Sequence, residues 1–322
     1  VLLYSLTNNH SFASEQGLSP YLDDHRGLLT LIFALLVGGL AVKAAMVPLH
    51  GWLPRAMVAP APVSALLHAV AVVKAGAFGI LRVIYDLYGI ELSVELGVTT
   101  VLAVAASITI IYGSLRAIAQ EELKPRLAFS TISQVSYVVL GVSLFGPFGT
   151  IGALAHLLHQ GLMKVTLFFC AGNYAEELGI HRLDEMDGAG KRMPLTSLAF
   201  TVGALGMIGL PPTAGFITKW YLGMGAIEAD MYWVVAVLVA SSTLNAIYFL
   251  PIVHRLWFRE GPAHGKGQWP KEQSLGRLET HGWLLWPAVL TAVISIGAGL
   301  LAGLPFSPLD WATRVAVGEY LP

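Results

Sequence analysis

Four lysines lie inside otherwise apolar stretches of the chain: Lys43, Lys74, Lys164 and Lys219. A charged side chain at the centre of a membrane helix costs about 2.5–3.5 kcal/mol on insertion scales. One explanation is a long side chain that reaches the membrane surface from near a helix end, and it suits Lys43 best. The alternative is a buried ammonium group in a wet cavity that exchanges protons, because ionisable residues inside membranes mark ion pathways by default.

The third of these lysines belongs to a polar stripe formed by His156, His159, Gln160 and Lys164. Offsets of three, four and eight residues place these side chains on one face of a helix. Histidine titrates closest to physiological pH, so the stripe predicts a proton relay. Packing of the two histidines in the core is one alternative. A metal site is another, but no further ligand lies nearby in the sequence, so we predict no bound metal.

Two more polar segments extend this set. His68 precedes Lys74 by six residues, so the two side chains point to different helix faces, whereas Ser64 and His68 share a face. A later apolar segment carries hydroxyl and amide side chains, among them Ser130, Ser133, Gln134 and Tyr137. Such groups either hydrogen-bond neighbouring membrane helices or line a chain of water, and the sequence leaves both interpretations open.

The composition indicates a membrane protein. Of 322 residues, 55% are hydrophobic and only 12% are charged, against about 25% in a typical soluble domain. This excludes an ordinary soluble enzyme and a disordered chain. The net charge of −1 excludes a nucleic-acid partner held by bulk positive charge, and the single cysteine, Cys170, excludes a disulfide framework. No dinucleotide fingerprint, phosphate loop or cysteine cluster is present, so we predict no cofactor and no catalytic residue.

Hydrophobic runs of about 20 residues predict an all-α polytopic membrane protein with about eight transmembrane helices. The predicted spans are 28–47, 60–84, 96–118, 127–146, 148–172, 195–228, 231–252 and 283–305. The acidic residues all fall in loops or at span ends, which predicts four buried cations and no buried anion.

The basic residues of the loops divide unequally between the two sides. One side carries Arg55, Arg116, Lys124, Arg126, Arg182, Lys191, Arg192, Arg255, Arg259, Lys266, Lys271 and Arg277. The other carries Arg26, Arg82 and Arg314. The excess predicts that the first side is cytoplasmic and that both ends of the chain lie outside.

Two of the spans contain helix-breaking residues beside a lysine. Pro48 follows Lys43, and the sequence Gly-Leu-Pro-Pro, which ends in Pro211 and Pro212, is followed by Gly215 and then Lys219. Proline removes a backbone donor and clashes with the preceding turn. Irregular backbone at membrane depth survives only where it lines a cavity or is buried in protein. Two interrupted spans of this kind are typical of paired sites in a transporter with inverted repeats.

These segments resemble a known family. The sequence Val-Lys-Ala-Ala-Met-Val-Pro-Leu-His-Gly-Trp-Leu-Pro within 42–68, and the segments 128–137, 156–164 and 209–219, follow the order of its signature blocks. The family comprises the proton-translocating antiporter-like subunits of respiratory complex I, membrane-bound hydrogenases and multisubunit cation/proton antiporters. The loop 182–194 most resembles the D-type subunit of the antiporters.

The resemblance implies a fourteen-helix fold with two inverted five-helix repeats, of which this chain would cover helices seven to fourteen. Residues 1–84 would end the first repeat, 85–255 would form the second, and 256–322 would hold a cytoplasmic loop and the last helix. The glutamate that the family pairs with its seventh-helix lysine would lie upstream of Val1. The implied proton pathway comprises Lys43, His68, Lys74, His156, His159, Lys164 and Lys219.

The expected function is proton translocation as a subunit of a multisubunit Na⁺/proton antiporter in a bacterial or archaeal cytoplasmic membrane. The expected partners are homologous subunits, small membrane subunits, protons, Na⁺ and lipid. One alternative is a pump module of complex I or a hydrogenase, in which redox chemistry belongs to partner subunits. Two others are a membrane scaffold with structural lysines and a membrane subunit of a carbon-dioxide-uptake complex.

Overall fold

The computed structural model describes residues 2–7, 18–261, 269 and 279–320. Lys266, Lys271 and Arg277 of the predicted basic side lie outside the described residues, as does the side chain of His68. The helices are α1 (Leu2–Thr7), α2 (Leu22–Lys43), α3 (Trp52–Ala56), α4 (Ala61–Val63), α5 (Val72–Arg82), α6 (Ile90–Glu95), α7 (Val98–Ile118), α8 (Leu123–Val142), α9 (Pro147–Leu178), α10 (Ala189–Arg192), α11 (Pro194–Ile208), α12 (Ala214–Glu228), α13 (Tyr232–Phe258), α14 (Gly282–Leu300) and α15 (Pro308–Tyr320). A π-helical segment, Ser64–Ala71, joins α4 to α5, and a second, Val83–Tyr88, continues α5, so that one helical span runs through all four.

The all-helical membrane fold is confirmed. Six helical segments are long and apolar enough to cross a membrane: Asp24–Lys43, Ala61–Tyr88, Val98–Ile118, Pro147–Leu178, Tyr232–Phe258 and Gly282–Leu300. The other two predicted spans are also helical. One is α8, which is rich in hydroxyl groups, and the other is the pair α11 and α12. Among the described residues the only β-pairing is an isolated bridge between Glu122 and Arg182.

Both predicted helix breaks are present. Helix α2 ends at Lys43, and the chain passes Pro48 before α3 begins. Helix α11 ends at Ile208, where Gly209 adopts a left-handed conformation with φ of 88°. Glycine is favoured at this position because it has no Cβ to clash with the preceding turn. The chain then crosses the two prolines and restarts as α12, so the backbone at the break presents its carbonyl groups instead of continuing the helix.

Helix α9 is the centre of the bundle and packs against α8, α11, α12, α14 and α15. Small residues allow the closest approaches, as in other membrane helix pairs. A Cβ on Gly152 would lie 2.9 Å from the backbone nitrogen of Leu222, and a Cβ on Gly113 would lie 2.8 Å from that of Ser133. The polar stripe of α9 is therefore enclosed by protein on several sides.

The prediction that no anion is buried is wrong. Glu279 is 9% exposed and accepts hydrogen bonds from the backbone nitrogens of Leu195 and Thr196, where α11 begins. Glu177 is 7% exposed and accepts a hydrogen bond from the Thr280 hydroxyl at 2.5 Å. The sequence correctly placed Glu177 at the end of its span. It could not show that the chain after 278 folds back over these helix ends and covers both carboxylates.

The second break supplies a test of packing. A Cβ on Gly215 would collide with the carbonyl oxygen of Gly206 and approach the sulfur of Met163 to 3.3 Å, whereas Gly223 on the same helix has open space around its Cβ position. We expect Gly215→Ala to lower the free energy of unfolding by about 1–3 kcal/mol, as overpacking of a filled core does. Thermal melting of the purified protein measures this, with Gly223→Ala as the matched control. Equal melting temperatures for the two variants would show that the break is not tightly packed.

Candidate functional site

Lys74 reaches across from α5 to α9. The side chain is 7% exposed, and its Nζ donates a hydrogen bond to the carbonyl oxygen of Leu157 at 2.5 Å. A Cβ on Gly161 would overlap the ammonium group, so the missing side chain at Gly161 makes the space that the ammonium occupies. The charge of Lys74 is thereby placed next to His156 along α9.

His156 is fully buried between α8 and α12. Its Nδ1 lies 3.0 Å from the Thr218 hydroxyl, and its Nε2 lies 3.1 Å from the carbonyl oxygen of Gln134. The carbonyl can only accept, so Nε2 carries a hydrogen. The Thr218 hydroxyl also lies 3.0 Å from the carbonyl oxygen of Gly215.

These contacts suit both charge states of the imidazole. In the neutral ring, the Thr218 hydroxyl donates to Nδ1. In the imidazolium, Nδ1 donates to the same hydroxyl, which turns its own hydrogen toward Gly215. A rotation of one hydroxyl therefore lets His156 gain or lose a proton without leaving a donor unpaired.

Lys164 lies two turns further along α9 and faces α8. It is fully buried, and its Nζ donates to the carbonyl oxygen of Leu127 at 3.0 Å and to the hydroxyl of Ser130. Both acceptors are neutral.

Lys219 binds the end of the helix that the second break creates. Its Nζ donates to the carbonyl oxygens of Met207 at 3.0 Å and Ile208 at 2.7 Å, and to the Ser242 hydroxyl at 3.0 Å. The last carbonyls of a helix have no intrahelical partner and carry the negative end of its dipole. The break therefore supplies the acceptors that hold this half-buried ammonium group. The Tyr137 ring lies 5.5 Å from Nζ, within the range of a cation–π contact.

The remaining polar side chains make contacts within and between helices. Ser133 bonds Ser114 at 2.9 Å and the Ile110 carbonyl at 2.9 Å, which joins α8 to α7. Ser64 donates to the Ala59 carbonyl at 3.1 Å, and His159 bonds the Ala214 carbonyl at 3.1 Å. The Tyr137 and His156 rings lie with their centroids 5.2 Å apart and their planes tilted by 31°.

Buried amide groups lie between Lys164 and His156. Gln134 is one turn beyond Ser130 on α8, and Gln160 is one turn before Lys164 on α9. Within the described part of the chain, neither side-chain polar atom of Gln134 has a hydrogen-bond partner, nor do Nε2 of Gln160 and Nε2 of His159. Buried polar groups of this kind are usually satisfied by water.

The prediction of a buried ammonium is wrong for Lys43. This side chain is exposed at the last residue of α2, because no described element covers that face of the helix. No ion pair joins Lys43, Lys74, Lys164 or Lys219 to a carboxylate in the described ranges. The same residues contain no group of three or more histidine, cysteine or acidic side chains that could hold a metal ion.

An open groove gives access to Lys219. It has a volume of about 520 Å³ and runs between α12 and α13, where Trp220 and Val239 are exposed. Lys219 and Ser242 line it together with apolar side chains. The ammonium group thus lies near the outer face of the bundle.

Several residues of the site escaped the sequence reasoning. Four of them contact the lysines or His156, or extend their hydrogen bonds: Thr218, Ser242, Asn245 and Tyr248. Each resembles an ordinary polar residue of a membrane helix when read alone. The fifth is Arg126, which the charge pattern assigned to a loop. It is 8% exposed and donates to the carbonyl oxygens of Ile118, Gln120 and Tyr248.

A family profile covers most of the chain. The family described as NADH:quinone oxidoreductase/Mrp antiporter, TM, matches residues 1–245. The chain belongs to this family. Its resemblance to the antiporter-like subunits, inferred from four sequence blocks, is thereby confirmed.

Individual members of the antiporter-like family agree with this assignment. NADH-quinone oxidoreductase subunit N of Desulforudis audaxviator is 39% identical over 304 residues, which are 92% of this chain and 60% of that protein. The Mrp complex of Dietzia sp. DQ12-45-1b contains a chain of TM-score 0.84 and 28% identity, with 100% of this chain and 64% of that one covered. Respiratory complex I of Thermus thermophilus gives a TM-score of 0.71 at 27% identity, covering 94% and 62%. The chain therefore spans about three fifths of these relatives.

Arg126 gives a test of the site's framework. We expect Arg126→Met to destabilise this antiporter-like subunit by about 2–4 kcal/mol, because carbonyls on three segments lose a charged donor in a buried place. Arg126→Lys should restore only part of the stability, since one ammonium lacks the planar fork that reaches several acceptors. Thermal melting measures both variants, with the exposed Arg55→Met as control. Equal stability of Arg126→Met and Arg55→Met would contradict the structural role.

Proposed function

We propose that the chain translocates protons across the membrane along a row of interior lysines and histidines. The observation that carries the proposal is that Lys74, Lys164 and Lys219 bond only neutral oxygens in the described structure. An ammonium locked to a carboxylate would have little reason to release its proton. Ammonium groups held by carbonyls and hydroxyls stay in place, while their proton remains exchangeable.

His156 is the proposed junction of the row. Lys74 bonds the carbonyl next to it, Thr218 bonds its Nδ1, and Thr218 directly precedes Lys219 on α12. A charge change at one group alters the proton affinity of its neighbours, and Coulomb interactions are stronger where the dielectric constant is low. Protonation can then pass along α9 from Lys74 toward Lys219.

The proposed path between His156 and Lys164 runs through water. The amide of Gln134 and Nε2 atoms of Gln160 and His159 offer donors and acceptors to it, while Ser130 contacts the ammonium of Lys164. Tyr137 completes the proposed lining. Ser133 and Ser64 are assigned to helix packing, since their hydroxyls bond carbonyls or another hydroxyl of neighbouring segments.

Lys43 and His68 are the proposed continuation of the row toward the first break. The exposed Lys43 would need a partner from outside the described residues to be enclosed. We also propose that the basic loops face the cytoplasm and that 1–84 and 85–255 belong to successive inverted repeats, as the charge distribution and the two breaks support.

We propose a multisubunit monovalent cation/proton antiporter as the complex that contains this subunit. The structural match of this whole chain to 64% of a chain of the Mrp complex supports this assignment. A proton-pumping module of NADH-quinone oxidoreductase is the second candidate, favoured by the 39% identity to a subunit N. Subunits that copurify with the native protein separate the two candidates: small antiporter subunits in the first case, dehydrogenase and iron–sulfur subunits in the second.

Removal of two lysines of the row tests the proposal. We expect Lys164→Ala and Lys219→Ala each to abolish proton transport, because the chain of exchangeable protons is interrupted. The measurement is the decay of a pH gradient in vesicles that contain the complete complex, followed with a pH-sensitive dye.

Lys191→Ala is the matched control, since this lysine is exposed on α10. Size-exclusion chromatography first establishes that each variant assembles. Unchanged proton flux in both Lys164→Ala and Lys219→Ala would refute the relay and favour structural lysines.

A further inference from the structure

Two buried side chains of α13 lie between Lys164 and Lys219. Asn245 and Tyr248 are both fully buried. The Tyr248 hydroxyl donates to Oδ1 of Asn245 at 2.7 Å, and Nδ2 of Asn245 donates to the carbonyl oxygen of Met207 at 3.0 Å. This pair belongs to a helix that the proposed row does not otherwise use.

Each end of the pair meets a lysine. The carbonyl oxygen of Met207 accepts from Nζ of Lys219 as well as from Asn245. At the other end, the Tyr248 hydroxyl faces Ser130, whose own hydroxyl accepts from Lys164. Lys164 and Lys219 are therefore joined through α13 by a line of polar contacts that does not pass through His156.

Arg126 fixes the backbone under this pair. Its Nη1 donates to the carbonyl oxygen of Tyr248 at 3.0 Å, and its Nη2 donates to those of Ile118 at 3.0 Å and Gln120 at 2.7 Å. A planar guanidinium that spans several carbonyls holds them in a fixed relation. The Tyr248 hydroxyl can thus change its partner while the helix stays in place.

We propose that Asn245 and Tyr248 couple the protonation of Lys164 to that of Lys219, with the Tyr248 hydroxyl exchanging between Asn245 and Ser130. This inference rests on the proposed proton row and adds two positioning residues to it. No proton passes through the amide of Asn245. The pair transmits the charge state of one lysine to the hydrogen bonds of the other.

The two states follow from the donors and acceptors. While Lys164 is charged, it donates to Ser130, whose hydroxyl donates to the Leu127 carbonyl at 3.0 Å, and Tyr248 donates to Asn245. Once Lys164 is neutral, its amine accepts from Ser130. The Ser130 oxygen then no longer accepts from Lys164 and is free to accept from Tyr248, which turns to Ser130.

The change of partner by Tyr248 alters the hydrogen bonds available to Lys219. When Tyr248 leaves Asn245, the amide oxygen becomes free to accept from the ammonium that already shares the Met207 carbonyl. Hydrogen bonding to the charged form favours it. Loss of the proton at Lys164 thereby favours a charged Lys219, which is the coupling that moves charge along the row.

The titratable and charged groups around the pair come from three helices: Arg126 and Tyr137 from α8, Lys164 and His156 from α9, and Lys219 from α12. Helix α11 carries none. Two titratable or charged side chains of α7 contact other residues: Arg116 lies over the Phe129 ring, and Tyr112 contacts His50. On α13 itself, Arg255 pairs with Asp187. Among the described residues, no carboxylate forms a hydrogen bond with the pair.

The test compares Tyr248→Phe and Asn245→Leu in the complete complex, reconstituted in vesicles, by the pH dependence of proton transport. Tyr248→Phe leaves the amide oxygen permanently free for Lys219, so Lys219 keeps its proton to higher pH and the transport profile moves to higher pH. Asn245→Leu removes that acceptor, so the profile moves to lower pH. We expect each variant to lose about tenfold in maximal rate, the effect of removing one buried hydrogen bond.

Tyr174→Phe is the matched control. Tyr174 is equally buried on α9, and its hydroxyl bonds Ser197 at 2.8 Å, away from the lysines. We expect the wild-type profile for this variant. If either α13 variant fails to assemble, Ser130→Ala replaces it, since this change removes the other partner of the Tyr248 hydroxyl.

The outcomes separate the two proposals. Unshifted profiles in the α13 variants, with transport abolished in Lys164→Ala and Lys219→Ala, would overturn the coupling and leave the row intact. Profiles that move in the same direction would show a general loss of packing and also overturn the partner exchange. Unchanged transport in both lysine variants would remove the proton row itself.

Discussion

The structure depends on placing ammonium groups in an apolar interior with only neutral oxygens to hold them. An ammonium at membrane depth is costly unless its donors are satisfied. In this chain the acceptors are backbone carbonyls and hydroxyls: Leu157 for Lys74, Leu127 and Ser130 for Lys164, and the end of α11 for Lys219. A broken helix is one way to present such carbonyls inside a membrane protein, so the break and the lysine beside it are two parts of one feature.

The separate lysine sites are arranged in a row along helix α9. This helix carries His156 and Lys164 and receives Lys74, while its contact with α12 brings Thr218 against His156. Glycines make this arrangement compact, since Gly161 leaves room for the ammonium of Lys74 and Gly152 admits Leu222 of α12. The charged groups, their hydrogen bonds and the close helix contacts therefore all lie along α9. His156 is held from two helices by this packing, through the Thr218 hydroxyl of α12 and the Gln134 carbonyl of α8.

Much of this could be predicted from the sequence, because helix periodicity and proline positions are local properties. The spans, both breaks and the shared stripe of His156 and Lys164 were all accessible in this way. Contacts between side chains of different helices could not be predicted in this way. Periodicity assigns a residue to a face without saying which helix covers it, so the exposure of Lys43, the burial of Glu177 and Glu279, and the carbonyl contacts of Arg126 required the tertiary structure. The same limit hid Asn245 and Tyr248, which look like packing residues until Met207 and Ser130 are placed beside them.

The central claim is that an exchangeable proton path joins the interior lysines, and between Lys164 and His156 this path requires water. A cryo-electron microscopy map of the assembled complex, at a resolution that shows ordered water, tests it most directly. We expect water density bonded to the side chain of Gln134 and to Nε2 of Gln160, continuous from Lys164 to His156. A dry, close-packed interface at these amides would contradict the proton path.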